Sequence, residues 1–348
     1  MRISRTKVSQ KVFETLAAYV DSGDSKYSYD IKKCYIDYQE EDKANLNTIH
    51  DCKIQEFIPN AKFAITNYKG IKILIIVGEQ INLVDDSILI DMELDLSILL
   101  FAIYYLRIQV DYTRSPIQIY NDILCQPEDE AYHGHCLSDL EDAFEKIAIY
   151  QIVEDSSIVN DNVYAPYAYY LLKKLQGHPN KWADNTLDTV ERLLLSGNEK
   201  IPYHNIALAL LANQWNHSFL ESYRCIEHLF QIIELEPLHN TLRTTLTLSQ
   251  VSKEIEDKIS WRPNEEGAIR DIFKEIEHLH ITTDLETVKR KYASDMRVEK
   301  WYYNQRNAIA HYRAIHEPLK FSNEEWDTLI SFNFLVIEYL YDKYKENI

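Results

Sequence analysis

Seven glycines and nine prolines are spread over 348 residues, so the chain has few places where it can turn sharply back on itself. That scarcity disfavours an all-β sandwich, which needs a turn signal about every 8–12 residues, and any low-complexity reading. Hydrophobic residues make up 46% of the chain, enough for a sizeable core and too many for global disorder. The length suits two domains better than one. The expected class is mainly α: an α/β N-terminal region over residues 1–200, then an antiparallel helical bundle over 201–348.

Strand signals are confined to the first part. Lys62 to Thr66 and Ile71 to Val77 are β-rich runs flanking a short turn that contains Gly70, which predicts a hairpin. Ser87 to Met92 is a third candidate strand. Leu96 to Val110 is apolar nearly all round and predicts a buried helix, and a further helix is expected from about Leu137 to Val153. Beyond Pro202 the pattern is helix upon helix. Ile206 to Leu235 forms a long amphipathic segment stopped by Pro237, and Leu242 to Ile259 a second. A third opens after Pro263 with Glu265 and Glu266 in its first turn. Thr283 with Glu286, and Ser322 with Glu325, match the capping box. Trp326, Leu329, Ile330, Asn333, Val336, Ile337 and Leu340 then recur at helical spacing.

The formal charge of −18 repels nucleic acid and anionic membrane, so either partner needs a local basic island. The five cysteines are scattered with no C-x-x-C pair, which fits reduced thiols in a cytoplasm. No signal-peptide pattern opens the chain, and the most apolar stretch, Leu94 to Ile108, carries Asp95 and Arg107. A soluble, cytoplasmic protein with no membrane association is expected.

One such island exists. Between Lys289 and Lys320 stand eight basic residues against three acids, a local excess of five positive charges. The same stretch holds Trp301, Tyr302 and Tyr303, rings able to stack on unpaired bases, with His311 and His316, which titrate near neutral pH. A run of charge is often only a solvated helix face; rings and histidines within it point toward a polyanion. Inside it lies Arg306-Asn307-Ala308-Ile309-Ala310-His311. On a continuous helix Arg306 and His311 would stand about 7.5 Å apart along the axis and about 140° apart around it. Either the helix begins within this stretch and bends the geometry, or a second copy of the chain completes the site across a two-fold axis.

That hexapeptide, near the end of a helical region, resembles the R-x4-6-H motif of the HEPN superfamily, ribonucleases of toxin–antitoxin, CRISPR and abortive-infection systems. Asn directly after the Arg is favoured in that family. The upstream segment SFLESYRCIEHLFQIIE, with Tyr223 and Glu227, is similar to its first core helix, and the resemblance covers roughly Ile206 to Ile348. It implies a HEPN-like bundle and metal-independent RNA cleavage by a homodimer, with no cofactor and no metal. His311 would serve as general base or acid, Arg306 would hold the scissile phosphate, and Asn307 would orient the phosphate or His311. Arg313, Tyr312, Lys300, Arg297 and Tyr303 would contact RNA, and Glu227 would support the motif. Some family toxins carry a Tyr two places after the His, where a partner enzyme modifies it. Here Tyr312 follows His311 directly, which departs from that pattern and puts that kind of control in doubt; an antitoxin, trigger or other partner protein remains open.

Other constellations point less clearly to chemistry. His133, His135, Cys136 and Cys125 lack the spacing of a standard zinc site. Asp85, Asp86, Asp91 and Asp95 read as solvated turns. There is no P-loop, dinucleotide fingerprint, zincin helix or nucleophile elbow. The competing reading is a non-catalytic HEPN-like dimerisation or partner-binding module in which Arg306 and His311 serve structure. The N-terminal region is open to a sensor role, without a residue set to name.

Overall fold

A computed structural model describes residues 4–23, 27–57, 61–78, 80–83, 86–125, 132–158, 162–177, 182–311 and 319–348. The chain divides into two compact units, Met1–Ser156 and Ser157–Ile348. The division therefore falls ahead of the expected 200/201 boundary, because the two helices that precede Pro202 pack within the helical unit.

In the first unit, strands β1 (His50–Glu56), β2 (Lys62–Tyr68), β3 (Ile71–Val77), β4 (Leu89–Asp91) and β5 (Ile147–Ile152) form an antiparallel sheet in the order β1-β2-β3-β5-β4. The β2–β3 hairpin closes through Lys69 (φ 52°) and Gly70 (φ 81°), the two positive values a type I′ turn requires. Strand β5 corrects the helix expected over Leu137 to Val153. Only α5 (Leu137–Leu140) is α-helical there, and Ile147–Ile152 pairs with β3 on one side and β4 on the other. Its short apolar run has no polar face, so periodicity could not separate a central strand from a buried helix. Helices α1 (Arg5–Asp21), α2 (Glu40–Leu46), α3 (Leu96–Phe101) and α4 (Pro116–Ile119) complete the unit. Val8, Val12, Phe13 and Leu16 of α1 and Leu96 to Phe101 of α3 share one core with Ala64, Ile73, Ile75 and Ile149 of the sheet.

The second unit has helices and no strand among its described residues. It runs α6 (Tyr164–Gln176), α7 (Asp184–Leu195), α8 (Tyr203–Leu211), α9 (Trp215–Glu227), α10 (Phe230–Leu242), α11 (Leu248–Ile259), α12 (Glu265–Glu275), α13 (Thr283–Tyr292), α14 (Val298–Ala310) and α15 (Asn323–Tyr344). The single segment expected over Ile206 to Leu235 is thus three helices, and Pro237 lies inside α10 instead of stopping it. Ser322 and Glu325 form the expected capping box at the start of α15. Thr283 does not; it is already inside α13 and donates to the His280 carbonyl.

Helix α15 runs through the middle of this unit. Its apolar stripe is buried as the spacing predicts, and it packs on α7, α9 and α13. Asn333 is wholly buried within that stripe. Its Oδ1 accepts from the Tyr302 hydroxyl at 2.7 Å, and its Nδ2 donates to Ser222 Oγ at 2.8 Å. One amide so joins α14, α15 and α9. Removing a buried partner strands the polar groups it satisfied. Asn333→Ala is therefore expected to lower the unfolding free energy by about 2–4 kcal/mol in urea denaturation. A loss below about 0.5 kcal/mol, the usual surface range, would show that the junction does not matter.

Candidate functional site

Residues four apart on a helix share a face, so whatever orients Tyr302 also orients Arg306. Tyr302 points into the core toward Asn333, with its ring 5.9 Å from that of Tyr223 on α9. One turn later the Arg306 guanidinium lies 5.5 Å from the centre of the same Tyr223 ring. Only 12% of the Arg306 side chain remains exposed. Its Nη2 pairs with Glu227 Oε1 at 2.9 Å, its Nη1 with Glu265 Oε2 at 2.9 Å, and Nη1 also donates to Asn307 Oδ1 at 3.1 Å. The fold thus brings together Arg306, Asn307 and Glu227 from the sequence reading and adds Glu265. That carboxylate sits in the first turn of α12, directly after Asn264, whose side chain caps the helix by accepting from the Gly267 amide. In the linear sequence Glu265 is only a helix-start acid; its role comes from α12 packing on α14. The Tyr223 hydroxyl is buried without a hydrogen-bond partner, and burial pushes its pKa far above the ordinary phenol value.

Helix α14 begins at Val298, well before the motif, and ends at Ala310 inside it, so the geometry is broken by a helix end and not by a helix start. His311 terminates it with φ −121° and ψ 76°, its amide donating to the Asn307 carbonyl at 2.9 Å. The azimuth expected for a continuous helix therefore does not apply to its side chain. His311 is exposed. Tyr312, Arg313 and His316 lie outside the described residues.

The basic island looks different in three dimensions. Trp301 and Tyr302 are buried, 3% and 1% exposed, and cannot stack on a base; Tyr303 is half-buried, with Lys300 Nζ 5.7 Å from its ring centre. Lys300 pairs with Glu266 at 2.7 Å, Lys291 with Glu325 at 2.9 Å and Lys289 with Glu286 at 3.4 Å, while Arg297 pairs with Glu299. Glu266 and Glu325 reach the island from other helices, Glu286 from one turn earlier on α13, and Glu299 lies within it, so much of the local positive charge is paired. Glu325 also accepts from the Tyr292 hydroxyl and the Ser322 amide. Those contacts, the tyrosine's first, hold its pKa down at about 2 from the ordinary 4.5.

Among the described residues no group of three His, Cys, Asp or Glu side chains is placed to hold a metal ion. His135 is buried against Phe13 and Tyr132, and burial lowers its pKa. Asp86 accepts from the Ile88 and Leu89 amides and Asp95 caps α3; Asp91 accepts from the Leu83 amide, and Asp85 lies outside the described residues. No described helix is long and apolar enough to cross a membrane. Comparison with protein-family models, with curated proteins and with solved structures gives no match in any of the three.

Two predictions follow from this geometry. Arg306→Ala leaves Glu227 and Glu265 facing each other without their cation and should cost about 1–3 kcal/mol of stability; Arg306→Ala combined with Glu265→Gln should recover part of it in the same urea titration. Glu325, with its folded pKa depressed, adds stability that is complete above 4.5 and lost as pH falls toward 2. Glu325→Gln should flatten stability across that acid window, as read by thermal unfolding at stepped pH.

Proposed function

We propose that the protein is a metal-independent endoribonuclease of the HEPN type, acting in the cytoplasm as a homodimer in a stress or antiviral defence system. The supporting observation is Arg306, whose fork already grips two oxyanions, Glu227 and Glu265, on the helix that His311 terminates. A phosphodiester presents the same pair of oxygens to a guanidinium as two carboxylates do. In this reading a phosphate takes the place of Glu265, whose side chain is 37% exposed, while Glu227 keeps Arg306 in position.

Cleavage then proceeds within the RNA. The His311 imidazole takes the proton of a ribose 2′-hydroxyl, and the 2′-oxygen bonds to phosphorus as the bond to the 5′-oxygen breaks. The departing 5′-oxygen receives a proton from water or from the imidazole of the second copy. Arg306 stabilises the charge that grows on the non-bridging oxygens, and Asn307, hydrogen-bonded to Arg306, keeps the guanidinium oriented. Tyr303, Lys300 and Arg297, with Tyr312 and Arg313, are the assigned RNA contacts; the first three need RNA to compete with their present partners. The products are a 2′,3′-cyclic phosphate and a 5′-hydroxyl.

The extent to which Arg306 is already paired also favours a second reading, a non-catalytic module in which the Arg306 clamp fastens α9, α12 and α14 for a dimer or partner interface. One assay separates the two. With labelled single-stranded RNA, His311→Ala is expected to lose at least about 100-fold in cleavage with its thermal stability unchanged, and the parent should keep cutting in EDTA. Equal cleavage by the parent and His311→Ala would remove the catalytic assignment and leave the module.

A further inference from the structure

In the first unit, a groove of about 680 Å³ runs between the opening turns of α1 and the segment 31–38. That volume falls in the range of small-molecule sites, about 300–1,000 Å³. Its floor is apolar and built from the unit's own core: Phe13, Cys34 and Ile36 are each at most 8% exposed. A floor that belongs to the core is pre-formed, so a ligand would not have to order it.

The walls add direction. Tyr35 presents an aromatic face, 46% exposed, yet it is fixed in place: its hydroxyl donates to the Tyr132 carbonyl at 3.0 Å and its ring sits edge-on to that of Tyr132 at 5.0 Å. Ser9 Oγ and the Tyr38 hydroxyl, 3.4 Å apart, add hydrogen-bonding groups to the lining. The charged residues of the lining are Arg5 and Lys32, both cations, and among the described residues neither is in an ion pair. Glu40 pairs with Lys43 and also lies within electrostatic reach of Arg5, and Asp42 lies within reach of Tyr38. Both lining charges are positive, and each is a long side chain able to turn toward an anion seated on the apolar floor.

We infer that this groove binds an organic anion: a small molecule with a planar or aliphatic body seated on Phe13 and Ile36 beside Tyr35, and a phosphate, sulfonate or carboxylate held by Arg5 and Lys32. The inference uses no residue of the helical unit and stands whether or not that unit cuts RNA.

The probe is anilinonaphthalene sulfonate titrated into the full-length chain, with uncharged N-phenylnaphthylamine as its match. Saturable one-site fluorescence is expected. Arg5→Glu with Lys32→Glu should weaken the sulfonate about tenfold and leave the uncharged amine and the melting temperature unaffected. Thr6→Trp, which fills the mouth from an exposed position, should weaken both probes. Adenosine monophosphate and decanoate as competitors distinguish a nucleotide from an acyl ligand. Sulfonate binding that ignores the charge reversal, or displacement by neither competitor, overturns the assignment.

Discussion

The buried amide of Asn333 is the contact on which the arrangement of the helical unit turns. It fixes Tyr302, and through Tyr302 the rotation of α14 about its own axis. Once that rotation is set, helical geometry places Arg306 one turn further along the same face, against Tyr223 and within reach of Glu227. An apolar residue at 333 could fill the same volume, but it would not specify which face of α14 turns inward. A polar group in a core demands its partners, and the demand selects one packing over near alternatives.

Charge behaves differently along the chain and in space. Counted along the sequence, Lys289 to Lys320 is a strongly basic stretch of an acidic protein. In the fold, Glu227, Glu265, Glu266 and Glu325 come to it from other helices, and Glu286 pairs with Lys289 one turn away on the same helix. Most such pairs are partly exposed and each contributes little to stability. Collectively they decide what an incoming polyanion meets, since every phosphate must displace a carboxylate or find a cation that none has claimed.

The legible parts of the fold were those carried by local physics. Gly70 lies in a short stretch between two β-rich runs, and the hairpin closes there, with the first strand running on to Tyr68 and the turn narrowed to Lys69 and Gly70. Ser322 and Glu325 satisfy each other's backbone within one helical turn, needing nothing distant. Ile147–Ile152 failed because a strand flanked by strands on both sides has no polar face to betray its period. Pro237 failed because a helix held by tertiary packing tolerates a residue that would end an isolated one. The site divides in the same way. Arg306, Asn307 and His311 were visible as a short local pattern and Glu227 through a family resemblance. Glu265 is 41 residues from Arg306, and only the approach of α12 to α14 joins them.

The clamp around Arg306 bears on the proposal that two chains complete the site. Arg306 with Glu227 and Glu265 carries a net negative charge, and Lys300 with Glu266 adds none. A phosphate approaching one copy alone therefore meets repulsion before it meets the guanidinium. Displacing Glu265 frees a carboxylate into water, where its hydration compensates for the lost pair; Glu227, packed beside the buried Tyr223, is less able to leave. Two motifs facing each other across a two-fold axis would offer two such exchanges to one RNA strand at a single entropic cost of association. An acidic protein could in that way hold RNA firmly at one cleft and weakly everywhere else.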